Sequence, residues 1–493
     1  MILSAWRRIA WVVAFSLLAP LPISAAATID EVWLAPRADG IAGTGTEEDP
    51  FDASTAAKFD ALFAGFVAGR ISQPLAIHLS AGTFETAAGE DDEYQRQHWL
   101  GAGWRLTGAG MYATTIKNVN PDPCGVIMFT STGYTWGPAG GCDGIVIADL
   151  TLDLQKNLFD AACIGSWTPV RVNGNGIRIS NLRVIHCGMD AVEEHWSVWV
   201  GGGPDSHNVI ENSLLEQCTG STNAFAMFPG KKTTIRNCRA DYTGTGASAS
   251  GMNGFAFHAM TVTGCFSNGA SAGWYGDTFE FDENQRLLVK DNVFVGNTWE
   301  GINVSPRFGT NVAVIGNRVR GSSADDAGIK ITTLPPDAGA GVRRVLIAEN
   351  DFEARLVFLQ DTHEIVIARN ITSGGVAISN VTDVYAFANR AVDGEPAGGL
   401  VAEREGDFDP LDAYALSETL FPPAETRRNA ELWGAALSVC LSAKTETQLG
   451  TVKFLDSSRV QDGDGADTAR VYASSLDGKM HLIDQARGDR PLW

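Results

Sequence analysis

At 493 residues the chain is too long for one ordinary core, unless it is an elongated repeat that adds length without thickening. Its 54 glycines, 44% apolar residues and only 19% charged residues suit many short strands joined by turns. A formal net charge of −21 argues against a nucleic-acid or anionic-membrane partner, and it repels a polyanionic sugar unless a local basic patch or a metal ion intervenes.

The first 27 residues read as a removable export signal. Arg7 and Arg8 precede an apolar run from Ile9 to Leu21, and Ile23-Ser-Ala-Ala-Ala offers small residues to a signal peptidase. That run is short for a membrane span and no later stretch is long enough. The expectation is a secreted or periplasmic protein with no membrane insertion after cleavage.

Residues 28–392 are expected to form one unit. Val32-Trp-Leu-Ala-Pro reads as a leading strand, and a Gly/Thr/Asp turn region follows as far as Pro50-Phe51. Residues 54–69 have helical spacing, with Ala56, Phe59, Leu62, Phe63 and Phe66 on one stripe, which suits a helix capping one end of a stack. Leu75-Ala-Ile-His-Leu, Gly82-Thr-Phe, Trp104-Arg-Leu-Thr and Thr115-Ile116 then read as strands and turns. The order of these pieces resembles the opening of right-handed parallel β-helix proteins of the pectate-lyase-like superfamily.

An internal repeat of the form apolar-x-apolar-x-Asn carries the same fold through the middle of the chain. Its lead positions are Asp149, Asn181, Asn212, Asn237, Gly264, Asn292, Asn317, Asn350, Asn370 and Asn389, aligned to within a residue. Their separations vary from 19 to 33 residues. A fixed strand with variable coil length is what a β-helix allows, because insertions enter the loops. Asn suits the turn because it tolerates left-handed backbone and because its amide can bond to its neighbours in the stack. At about 4.8 Å per coil, ten coils make a rod of roughly 48 Å.

The cysteines follow the repeat. Cys124 and Cys142 bracket one loop and are the leading disulfide candidate. Cys187 and Cys218 each follow a repeat Asn by six residues, and Cys238 and Cys265 directly follow the repeat position. Equivalent positions on neighbouring coils lie within disulfide reach, and a column of buried thiols is the equal alternative. No Cys/His spacing suggests zinc. After Val392 the repeat fades: residues 393–430 read as a Pro/Gly/acid-rich linker, and 431–493 as a small C-terminal β unit. Gln461-Asp-Gly-Asp-Gly-Ala-Asp reads as a solvated acidic turn because it lacks a calcium loop's closing Glu.

Chemistry in a parallel stack is read from columns. Aligning Val192-Glu-Glu-His, Phe225-Ala-Met-Phe, Phe255-Ala-Phe-His, Phe279-Glu-Phe-Asp, Ile302-Asn-Val-Ser and Ile329-Lys-Ile-Thr gathers Glu280, Asp282 and His258 on one outer face. Asn303 and Lys330 follow on the next two coils, and His195 lies on the same face. Two carboxylates two residues apart on a strand can chelate Ca²⁺ with help from Asn303, or serve as an acid/base pair. His258 or Lys330 is the candidate proton acceptor. Trp167, Trp196, Trp199, Trp274, Tyr275 and Trp299 are expected in the turns and loops of these coils, where rings stack on sugar faces.

Glu280-x-Asp282, Asp291-Asn-Val-Phe and Gly301-Ile-Asn-Val-Ser-Pro-Arg307-Phe-Gly-Thr-Asn together resemble the core of β-helix polysaccharide lyases of the alginate lyase and chondroitinase B type. The resemblance implies that Glu280 and Asp282 bind Ca²⁺ and that Arg307 assists. That family's lysine has no counterpart, since Glu283 or Asn284 stands at its position. The Asn-Thr-Asp and Gly-His-Gly runs of polygalacturonase-type hydrolases are missing.

The expectation is therefore an all-β, right-handed parallel β-helix with an N-terminal capping helix and a small C-terminal β unit, monomeric and acting on a polysaccharide. Calcium-assisted β-elimination leads, with Glu280, Asp282 and Asn303 as ligands, Arg307, His258 and Lys330 as catalytic groups, and His195, Trp196, Trp199, Trp274, Tyr275 and Trp299 as substrate contacts. A glycoside hydrolase using Glu280, Asp282, Asp277 or Glu193, and a non-catalytic adhesion scaffold, are the alternatives.

Overall fold

The computed structural model describes residues 30–391, apart from 88–89, 93–94, 121–125, 132–141, 156–168, 187–194, 203–205, 219–221, 228–231, 243–249, 256–258, 279–286, 307–308, 321–326, 333–341, 353–354, 373–375 and 388–389, and three further strands between 471 and 491. For some strand residues, His195, Trp196 and Trp199 among them, the description is of the backbone alone. The export segment and the 393–430 linker lie outside the described residues.

Each coil contributes one short strand to each of three parallel sheets. Sheet I begins with Asp30–Ala35 and Leu75–Leu79 and continues through Val209–Glu211, Met260–Thr263 and Leu287–Lys290 to Val342–Ala348. Sheet II holds Gly82–Thr86, Thr114–Asn118, Leu214–Cys218, Phe266–Asn268, Val293–Val295 and Arg318–Arg320. Sheet III holds Val170–Asn173, His195–Gly201, Thr222–Met227, Ser250–Phe255, Ala272–Thr278, Ile302–Pro306 and Ala327–Thr332. The strand Val146–Asp153 turns a corner within itself, serving sheet I and then sheet II, and Arg178–Ile185 does the same.

The core is a set of columns. Ile147, Ile179, Ile210, Ile235, Val262, Val289, Val314, Ile347 and Ile367 occupy one inward register position of sheet I, and all are buried. β-Branched side chains fit here because each packs on its copy one coil away.

The corner between sheets I and II shows why the repeat carries Asn. Asp149, Asn181, Asn212, Asn237, Asp291, Glu349 and Arg369 hold positive φ, with Gly264 and Gly316 at the same turn. The residue after each points inward. From Asn292 onward that inward position is an amide ladder: Asn317 Oδ1 accepts from Asn292 N and Nδ2, Asn350 Oδ1 from Asn317, and Asn370 Oδ1 from Asn350, all at 2.9–3.0 Å. The single repeat position is thus two adjacent columns. The early leads occupy the left-handed turn, Asn292 to Asn370 form the ladder, and Asn389 lies outside the described residues.

Cys238 and Cys265 stand one coil apart at the inward position that the ladder later occupies. They are buried thiols, and burial pushes the Cys238 thiol well above its ordinary range. Cys142 is buried, and Cys124, its expected disulfide partner, lies outside the described residues. Cys218 is disulfide-bonded.

The N-terminal end is closed by helix α1, Ala56–Arg70, whose N-cap Thr55 accepts from Lys58 N. Phe59, Phe63 and Phe66 are its buried face. Phe59 and Phe63 pack against His98, which touches Phe129 in turn. His98 Nε2 lies 2.9 Å from Thr86 Oγ1 and 3.2 Å from Asp60 Oδ1, so the one polar ring in this apolar cap is satisfied. Near the C-terminus, Val471–Ser474, Met480–Asp484 and Gly488–Pro491 form a separate antiparallel sheet. The expected strands at Leu437 and Val452 lie outside the described residues. Among the described residues no helix is long and apolar enough to cross a membrane.

Candidate functional site

Sheet III carries one register column across seven coils, Arg171, Trp199, Ala226, Asn253, Tyr275, Asn303 and Lys330, whose described side chains lie on its outer side. Their neighbours Val170, Val198, Phe225, Met252, Trp274, Ile302 and Ile329 point into the core. Asn303 and Lys330 are neighbours, as the sequence alignment expects. The coil before them is different: Tyr275, and not Glu280, pairs with Asn303.

The expected register is therefore five residues late at this coil, since the strand is Trp274-Tyr-Gly-Asp and not Phe279-Glu-Phe-Asp. The physical reason is a glycine column. Gly251, Gly273, Gly301 and Gly328 each precede the first inward residue of a sheet III strand. A Cβ on Gly273 would stand 2.1 Å from the Phe294 ring, and one on Gly301 2.3 Å from Val319. The chain can round the corner from sheet II only where a glycine clears the large side chain filling it. Phe279 lacks that glycine. Glu280, Asp282, His258 and Arg307 fall outside the described residues, each within four residues of the end of a sheet III strand.

Two corrections follow for the aromatic residues. Trp196, Trp199 and Trp274 lie in strands and not in loops. Trp274 is fully buried in the core, because it occupies the inward position of its strand, so it is not a surface for sugar. Tyr275, next along, faces outward and is half-buried. Trp299 stands in a turn with half its surface exposed, fixed through its backbone N–H to Ser271 O at 2.8 Å. His195 and Trp196 pair in register with Thr222 and Asn223, and Trp167 lies outside the described residues.

The chemistry that sequence reasoning missed is Glu300. It precedes Gly301 and occupies the position that Ala272 holds one coil earlier, where the corner bend turns its side chain onto the outer face of sheet III. Lys330 Nζ donates to Glu300 Oε1 at 2.8 Å, and Asn303 Nδ2 donates to Glu300 Oε2 at 3.1 Å. The carboxylate is 11% exposed and the lysine 34%. A carboxylate held on both oxygens in a partly dehydrated site is a fixed negative group with a cation beside it. Its visible signal is position, directly before a column glycine and directly after an exposed Trp.

This arrangement alters two expected roles. Lys330 is engaged as a donor to Glu300, which suits it to charge neutralisation more than to proton abstraction. Asn303 gives its Nδ2 to Glu300, so only its Oδ1 could ligate calcium. No group of three or more His, Cys, Asp or Glu among the described residues could hold a metal ion. Asn253, 2% exposed in the same column, leaves its Oδ1 without a hydrogen bond among the described residues.

Residues 168–336 match the family model described as right handed beta helix region. No curated protein matches the sequence. Among solved structures, the mannuronan C-5 epimerase AlgE4 A-module of Azotobacter vinelandii is 17% identical, with 76% of this chain and 100% of that chain covered and a TM-score of 0.48. A tailspike protein double mutant of E. coli bacteriophage HK620 is 13% identical over 68% of this chain and 62% of that one, with a TM-score of 0.47. The catalytic unit of a thermostable GH87 alpha-1,3-glucanase from Streptomyces thermodiastaticus is 12% identical over 76% and 65%, with a TM-score of 0.38. Likenesses this distant carry no argument about activity. The parallel stacking of coils and the family match make this chain a right-handed parallel β-helix protein.

Proposed function

We propose that the protein is exported and acts on a polysaccharide laid along the outer face of sheet III, cleaving it by β-elimination. One observation carries the reading: on that face Glu300, Asn303 and Lys330 form a fixed charged cluster, and Trp299, directly before Glu300 in the chain, is half exposed. An aromatic platform next to a cation and hydrogen-bonding groups is the composition of a sugar site. The cation also answers the charge problem, since Lys330 gives a uronate carboxylate a local partner on a protein of net charge −21.

In such a cleavage a base takes the proton α to the uronate carboxylate, and the electron pair forms a carbon–carbon double bond. The glycosidic C–O bond at the β carbon breaks, and its oxygen leaves with a proton. Lys330, oriented by Glu300, would bind the carboxylate and stabilise the charge that develops on it. His258 follows the strand Ser250–Phe255 by three residues and is the base in this reading. Arg307 directly follows Ile302–Pro306 and assists with charge. Calcium, if held by Glu280 and Asp282 just past Thr278, would supply further neutralisation of the carboxylate.

Glycoside hydrolysis is the second reading, favoured by Glu300 as a fixed carboxylate with Asp277 two residues beyond Tyr275 on the neighbouring coil. Replacing Trp299 by Ala tests the platform. The expected result is a KM raised about tenfold with kcat little changed. Unchanged kinetics would remove the platform from the account. Glu280→Gln with Asp282→Asn should abolish thermal stabilisation by calcium as well as activity, and an unchanged melting response to calcium would overturn the ion site.

A further inference from the structure

A second exposed ring stands on another sheet. Tyr112, at 74% exposure, is the most exposed large apolar side chain among the described residues. Its turn is tied to the outer face of sheet II by the hydroxyl of Thr151, which donates to Met111 O. Arg183, the Cα partner of Thr151 on the next coil, places its guanidinium 5.2 Å from the centre of the Tyr112 ring. Arg183 also pairs with Glu216.

Beside this pair lies a group that the sheet III site does not use. His186 Nδ1 is 2.7 Å from Asp153 Oδ1, and Asp153 also accepts from the side chain and backbone of Gln155. Asp153 is 11% exposed and His186 31%. Both His186 and Gln155 hold left-handed backbone, with φ of 52° and 54°. With Nδ1 held by the carboxylate, the imidazole is fixed in orientation, and Nε2 makes no hydrogen bond among the described residues. Lys117 on the preceding coil and Glu216 on the following one share this register column, which Glu85 and Asp241 extend at either end.

We propose that Tyr112, Arg183 and His186 form a second saccharide-binding site on the outer face of sheet II. It offers three elements suited to a pyranose ring: a flat apolar platform, a fan of N–H donors and an imidazole held in one orientation. Four coil steps, about 19 Å, separate it along the rod from Trp299 and Glu300. It would therefore hold a remote part of a long chain. The class of ligand rests on the polysaccharide reading above, whereas the location rests only on this face.

The test is affinity electrophoresis of the full-length protein in native gels cast with alginate, a polyuronate, or with a neutral glucan. Tyr112→Ala and His186→Ala are run beside wild type and Trp299→Ala. Tyr112 is so exposed that its truncation should leave the thermal melt unchanged, which separates binding from folding. The proposal expects each sheet II variant to need about tenfold more polysaccharide for the same retardation. Retardation reduced in Trp299→Ala but unaltered in both sheet II variants would overturn the second site alone. No retardation of wild type by either polymer would overturn the polysaccharide reading and this site with it.

Discussion

Glu300 and Lys330 are thirty positions apart in sequence and one coil apart in space. That separation explains both what could be read in advance and what could not. Lys330 and Asn303 were legible because both follow an Ile in strands of matching pattern. Glu300 was not, because it sits in a corner where no alternation marks which way a side chain points. If the pair binds and orients substrate, Lys330→Met and Glu300→Gln should each lower kcat/KM about a hundredfold. The double variant should lose little more than either single one, since both act as one unit. Additive losses in steady-state kinetics would show that the two groups work separately. Acid titration offers another residue-scale test. Lys58 and Ser54 hold the Asp52 carboxyl down to about 2 from an ordinary 3.8. Asp60 is also lowered: burial pushes it up but is outweighed by bonds from His98 and Thr86. Carboxyls depressed in the folded state contribute stability that is present above the ordinary value and is lost as pH falls through the folded one. The N-terminal cap should therefore weaken between about pH 4 and about 2, and Asp52→Asn should flatten that loss in melts recorded against pH.

Among the elements, the corners carry more information than the strands. The amide ladder buries four side chains, Asn292, Asn317, Asn350 and Asn370, at no more than 1% exposure, and each bonds to the next. Asn317→Ala would leave the Asn292 backbone N–H without its partner and remove one of the two bonds that Asn350 Oδ1 accepts. A loss of about 2 kcal/mol is expected in urea unfolding. A change below about 0.5 kcal/mol would mean that water replaces the amide. The ladder was visible as a repeating Asn, but its division into a left-handed column and a buried column was not, because the two differ by a single residue. The glycine column was equally present in the sequence, as Gly251-Met, Gly273-Trp, Gly301-Ile and Gly328-Ile. The pattern Phe279-Glu-Phe-Asp alternates as a strand should, and alternation alone cannot choose between two such runs five residues apart. The glycine clearing Phe294 makes the choice.

For the molecule as a whole, repetition makes the fold legible and hides the site. Stacked Ile and Val columns and a helical Phe stripe specify a capped parallel coil, whatever the loops contain. The segments that follow the sheet III strands in sequence, which carry Glu280, Asp282, His258 and Arg307, differ in length and sequence from coil to coil and give no periodic signal. The scaffold therefore constrains where substrate would lie, on an outer face bordered by Trp299, Tyr275, Glu300 and Lys330, more tightly than it constrains the reaction. The most direct measurement is to incubate the purified full-length protein with a panel of acidic and neutral polysaccharides, recording ultraviolet absorbance and new reducing ends together. The account predicts that both rise in step on a polyuronate, and that Glu300→Gln suppresses both. New reducing ends without absorbance would mean hydrolysis and contradict the elimination, and neither signal on any polymer would contradict cleavage altogether.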